Sequence, residues 1–330
     1  MTTIPSTFTQ ALVRSVKKTP YTSQLITKIQ KNRKTLGDTL FFDVLIRDVG
    51  HVDPTLYPPK DLETLLLLIQ KIESQDTPNR VHQAVLIFYL FLDYPLSLTN
   101  HESLANYYAE EVGIPTGYRE LITGFWYMDQ IDFDNALLHL GHPEALPTYH
   151  DKIFASFIKT AASNNSSTST PNSSAQILAY FTAKSPRLVS SETIEHYVDS
   201  LLEVSLFSAL RFVRSVSPSI QPVLFRRIIM NTLSDPRSEV RKKNIWRLAN
   251  LPLTDSESVL FKDYLLEISK EHPDTTVSSF AKDVLIVRSL HTGDVHTSKA
   301  ISELPNPNPA STKPPRVEWN DITRGIKLSN

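Results

Sequence analysis

The apolar positions of this chain recur at a helical period, and no stretch shows convincing period-2 alternation. Phe41, Phe42, Leu45, Ile46 and Val49 form a buried-type stripe at the 3.6-residue spacing, which Gly50 ends. Asp53-Pro54 and Pro58-Pro59 mark a loop. Asp61–Ile72 follows, apolar over most of its surface, and it is expected to be a central helix. Arg80–Leu92 places Val81, Val85, Phe88 and Leu92 on one face. Asn100 is a candidate N-cap for a helix running to about Val112. Further helices are predicted from Thr116 to Met128, from Asp132 to the C-capping Gly141, and from Thr148 to Ala162.

The second half reads the same way. Helices are predicted over 175–183, 191–203, 206–216, 219–233, 236–248, 256–271 and 275–290, with Ser234-Asp235-Pro236 as one helix start. Short helices joined by short connections predict an all-α fold, an α-solenoid of stacked antiparallel hairpins. Residues 235–248 are similar to the second helix of a HEAT-type unit, so the solenoid is expected to be partly HEAT-like. Residues 163–174 are Ser/Asn-rich and lack apolar anchors, predicting a mobile loop. The expected organisation is a basic N-terminal arm over 1–37, a helical domain over 38–290 and a Pro-rich tail over 291–330.

Composition agrees with helices separated by breakers: 8 glycines against 22 prolines disfavour Gly-rich phosphate loops and tight hairpins. The absence of cysteine removes disulfides, thiolate metal sites and cysteine nucleophiles. No apolar run approaches the roughly 18 residues of a membrane-spanning helix. The net charge of −1 argues against a strongly basic nucleic-acid-binding body. Within residues 1–37, however, Arg14, Lys17, Lys18, Lys28, Lys31, Arg33 and Lys34 stand with no acid. That arm fits a charge contact with an acidic partner or nucleic acid, a transit peptide, or a solvated tail.

The search for chemistry finds little. No P-loop, dinucleotide fingerprint or nucleophile elbow is present. His101-Glu102 begins a zinc-protease motif, but Ala105 stands where its second histidine is required. His139 and His142 straddle a helix end at Gly141, and His291 and His296 flank a predicted loop at Gly293-Asp294, so neither pair reads as metal ligands. Asp129, Asp132 and Asp134 lack the glycine and distal glutamate of a calcium loop and read as a helix cap with its flank. Tyr107, Tyr108, Phe125, Trp126 and Tyr127 read as a packed helix junction. No catalytic residue, cofactor site, metal site or small-molecule substrate is assigned.

A family resemblance appears in the central stretch. Ala105-Asn106-Tyr107-Tyr108 leads to Ile114-Pro115, Tyr118 and Leu121. Gly124-Phe125-Trp126-Tyr127-Met128-Asp129 comes next, followed by Asp132-Phe133, Ala136-Leu137 and Leu140. This resembles the helical domain of ELYS-type nucleoporins. Phe42-Asp43 through Tyr57-Pro58-Pro59, Ala84 to Asp93, and Ser208 to Arg214 resemble the same domain, so the similarity spans roughly 38–290. It implies a non-enzymatic scaffold of the nuclear pore complex at the nuclear envelope. It also implies docking near the short arm of the Y-shaped outer-ring complex, where a propeller–solenoid subunit and a WD-repeat propeller subunit meet. Phe125, Trp126, Asp129, Ala136 and Leu137 are then expected to be structural core, with Trp126 buried. Large relatives carry a propeller and an AT-hook tail. This chain has only Arg324-Gly325-Ile326 in place of an Arg-Gly-Arg-Pro hook, so it reads as a short form without AT-hook DNA binding. The competing readings are a generic HEAT-like adaptor and a helical enzyme whose acid–base groups converge only in the fold.

In the tail, Trp319, Ile322 and Ile326 would share one face of a helix, with Arg316 and Arg324 beside them. That pattern suits either a cap folded back on the solenoid or an anchor docked in a partner groove.

Overall fold

A computed structural model describes residues 9, 13, 19–75, 80–94, 103–163, 173–294, 298–299 and 301. Among these residues the fold is all-α, with no strand. Most of the 163–174 loop, His101, His296, Asn100 and the tail anchor residues Arg316, Trp319, Ile322, Arg324 and Ile326 lie outside the described residues. The contacts divide the chain into two compact units, Met1–Tyr197 and Val198–Asn330.

The first unit contains α1 (Ser23–Thr35), α2 (Phe41–Asp48), a single 3-10 turn (Pro54–Leu56), α3 (Leu62–Glu73) and α4 (Arg80–Leu92). α5 (Leu104–Val112), α6 (Thr116–Asp129), α7 (Phe133–Leu140), α8 (His150–Ser163) and α9 (Ser173–Lys184) follow among the described residues. α4 is its centre, because every residue from Ala84 to Phe91 is buried. α3, expected to be central, is instead peripheral. It buries Leu65, Leu68, Ile69 and Ile72 but leaves Leu67 exposed. The runs of leucine in α3 and of mixed aliphatic and aromatic residues in α4 look alike in hydropathy, and only the number of neighbouring helices separates them.

Local chemistry sets the helix ends. Asp61 caps α3 by accepting from Thr64 N at 2.8 Å. α5 starts from Ser103, whose hydroxyl accepts from Asn106 N. α5 ends at Gly113, whose φ of 69° is a left-handed conformation that glycine adopts without strain. α6 and α7 approach closely at Gly124. A Cβ there would sit 2.6 Å from both Cγ and Cδ2 of Leu140.

α10 (Ser191–Val204) contains the division between the units. The second unit continues with α11 (Leu206–Ser215), α12 (Gln221–Ser234), α13 (Ser238–Ala249), α14 (Asp255–Glu271) and α15 (Thr275–His291). α11 packs on α12, α12 on α13, and α14 on α15, while α13 also reaches α15. α13 begins at Ser238 rather than at Pro236. Asp235 closes α12, and its carboxylate accepts from Arg237 N just before the new helix.

Candidate functional site

The densest polar chemistry of the first unit lies inside it, around two buried carboxylates. Leu40, the N-cap of α2, has no side-chain acceptor to satisfy the free amides of the first turn. Asp129, the last residue of α6, supplies the acceptor from a distance in sequence. Its Oδ1 accepts from Phe41 N at 2.7 Å and its Oδ2 from Phe42 N at 3.0 Å. The carboxylate thus caps α2 in trans, where the helix dipole also favours negative charge. Tyr89 Oη donates to the same Oδ2 at 2.7 Å. The backbone carbonyl of Asp129 accepts from Asn32 Nδ2 at 2.9 Å, which ties in α1.

Asp93, just past α4, gathers three side-chain donors. Tyr21 Oη and Tyr57 Oη donate to its Oδ2 at 2.7 and 2.9 Å. Trp126 Nε1 donates to its Oδ1 at 2.8 Å. The rings carrying these hydroxyls pack together. Phe42 stacks on Tyr89 with centroids 4.3 Å apart and meets Tyr57 edge-on at 4.6 Å. Phe41 stacks on Phe125 at 4.8 Å.

Cations stand at the edge of this cluster. Arg33 of α1 forms a bidentate pair with Asp43 at 2.8 and 2.7 Å and also donates to Tyr57 O. Asp43 in turn accepts from Leu40 N. Lys152 Nζ donates to the carbonyls of Thr39 and Leu40 and lies 4.9 Å from the Phe41 ring centroid. The described part of the basic arm is therefore no solvated tail, since Tyr21, Asn32 and Arg33 are bonded into the unit.

Burial pushes the carboxyl of Asp129 up to about 7, against the pull of the two amides, Tyr89 and Lys152. Burial likewise raises Asp93 to about 6, opposed by Trp126, Tyr21 and Tyr57. Shifted carboxyls are a frequent mark of catalysis. Here every oxygen of both groups is already bonded to a protein donor. The cluster holds α1, α2, α4 and α6 in one arrangement.

The residues expected to form structural core divide. Phe125, Asp129 and Ala136 are buried. Trp126, expected to be buried, and Leu137 are only half-buried. Trp126 turns its indole N–H inward to Asp93 and leaves part of its ring at the surface. The reading of Asp132 and Asp134 as a helix cap with its flank holds, while Asp129 departs from it by capping α2. Asp132 alone caps α7, accepting from Asn135 N, and Asp134 is exposed. His139 pairs with Glu120 at 2.8 Å and stacks on Tyr127, away from any ligand role with His142.

Asp93, Tyr21, Tyr57 and Tyr89 were not singled out as site residues by pattern, since their partners lie 33 to 72 positions away. A signal did exist. Phe42-Asp43, Tyr57, Tyr89, Asp93, Trp126 and Asp129 all belong to the segments that carry the family resemblance, and the fold gathers them into one cluster.

Comparison with known proteins agrees with that convergence. The family model described as ELYS, nuclear pore complex assembly, matches residues 39–268. A protein of Schizosaccharomyces pombe (strain 972 / ATCC 24843), described as uncharacterized protein ely5, is 31% identical over 256 residues. The alignment covers 76% of each chain.

Proposed function

The chain belongs to the ELYS family of nuclear pore complex assembly proteins, and on that premise we propose that it is a non-catalytic scaffold subunit of the pore's outer ring. In this reading it attaches to the Y-shaped complex near the short arm, beside the propeller–solenoid subunit and the WD-repeat propeller subunit, and it resides at the nuclear envelope. The observation that carries the reading is the family match over the segment that contains the Asp93–Asp129 cluster. A scaffold needs helices fixed relative to one another, and the cluster spends its polar groups on that task. The helical-enzyme alternative loses support for the same reason, because its best acid–base candidates have no unused oxygen. A generic adaptor would share the fold but not the family match.

Co-purification from cells, with the chain tagged, tests the proposal. The outer-ring subunits should be recovered in near-stoichiometric amount after a salt wash. Recovery of the chain without them would favour the adaptor.

A further inference from the structure

α11 and α13 touch side by side in the second unit and run in the same direction. Arg237, just before α13, feels the charge of Glu203 just before α11. At the other end, Arg214 near the close of α11 donates to Pro252 O, beyond the end of α13, at 2.7 Å. These two helices contain six basic residues, Arg211, Arg214, Arg241, Lys242, Lys243 and Arg247, and one acid, Glu239. Such a balance is unusual in a chain whose net charge is −1.

Three of the six are committed internally. Arg214 makes a bidentate pair with Glu257. Arg241 donates to Asp235 O and lies over the Phe280 ring. Lys242 pairs with Glu239 at 2.8 Å. Arg211, Lys243 and Arg247 form no ion pair among the described residues. α13 turns Glu239, Lys242, Lys243 and Trp246 outward at helical spacing, and Trp246 is 63% exposed. α11 turns Phe207, 48% exposed, and Arg211 outward one helical turn apart. A tryptophan held at this exposure beside free cations costs hydrophobic contact that the unit could otherwise bury.

We propose that the exposed face of α11 and α13 docks an acidic segment of a protein partner, with Trp246 covered by an apolar side chain of that segment and Lys243 and Arg211 facing its carboxylates. Tryptophan and arginine are the residue types that carry most binding energy in such contacts. Three uncommitted cations give a weak phosphate-backbone site, since duplex affinity grows with each neutralised phosphate. An acidic peptide with an apolar anchor uses both the charge and the ring. The inference rests on exposure and charge in the second unit and is independent of the pore assignment.

The test uses the full chain and a fluorescein-labelled synthetic peptide of repeating Glu-Glu-Leu-Phe. A Lys-Lys-Leu-Phe peptide, a short DNA duplex and phosphatidylserine-containing vesicles serve as competing probes. The acidic peptide should bind in preference to the other three. Trp246→Ala should weaken it about tenfold, and the pair Arg211→Glu with Lys243→Glu should weaken it by at least that factor. Both variants should melt with the parent chain, because the altered side chains are exposed. Equal binding of the acidic and basic peptides, or acidic-peptide binding unmoved by charge reversal, overturns the proposal. Binding of the duplex or vesicles in place of the acidic peptide also overturns it and assigns the face to nucleic acid or lipid.

Discussion

Asp129 serves three masters at once: two backbone amides of α2 and the Tyr89 hydroxyl. Asp129→Asn keeps the shape but turns an N–H toward one of those amides. An unsatisfied buried amide costs about 1–3 kcal/mol, and urea unfolding should register that loss near neutral pH. The same substitution isolates a pH effect. The folded carboxyl, at about 7, lies above its unfolded value, so between the two the folded chain holds a proton that the unfolded chain has lost. Its contribution to stability is full in acid below the unfolded value and is lost as pH rises through 7. From pH 5 to 7.5 the parent chain should therefore lose about 2 kcal/mol more than Asp129→Asn does. Parallel pH profiles for the two chains would show that the residue is ionised throughout. Trp126→Phe retains most of the ring but removes the indole donor to Asp93. A hydrogen bond to a charged group contributes about 1.5–3 kcal/mol, so this variant should melt below the parent. Its Asp93 carboxyl should also titrate above about 6 in a carbon-detected NMR series, since the lost bond favoured the ionised form.

Among elements, α6 and α7 show how much a single small residue permits. Gly124→Ala drives a methyl into Leu140, and overpacking of this kind typically costs about 1–3 kcal/mol. If the clash is the cause, adding Leu140→Val should recover part of the lost thermal midpoint, giving a double variant less destabilised than the sum of the two singles. Elements were the level most legible in the sequence. Periodicity located Phe41–Val49, Arg80–Leu92 and Thr116–Met128 to within a residue or two of the observed helices. Rank among the elements was not legible: α3 and α4 carry similar apolar runs, yet only α4 is enclosed. The Asp93–Asp129 cluster was legible only through resemblance. Hydrogen bonds from Phe41 to Asp129 span 88 positions, and no local spacing rule encodes such a contact. Trp126 was misjudged for a related reason. Its place at the end of one helix, just before the Asp132 helix, suggested burial, while the contact that fixes it is the N–H bond to Asp93.

For the whole molecule, two compact units are joined in one chain that belongs to a nuclear pore assembly family. The tail segment beyond Pro315 offers a test of the proposed attachment. Deletion of Arg316–Asn330 should release the outer-ring subunits at unchanged thermal midpoint if Trp319, Ile322 and Ile326 dock on a partner. A lowered midpoint with binding retained would identify an internal cap instead. The central claim, attachment to the Y-shaped complex, is tested most directly by reconstitution. The purified full chain is mixed with the purified propeller–solenoid and WD-repeat propeller subunits of the short arm and run by size-exclusion chromatography with light scattering. The account predicts a stable ternary peak whose mass is that of one copy of each. Elution of the chain alone, at its own mass and at concentrations where the other two subunits associate, would contradict it.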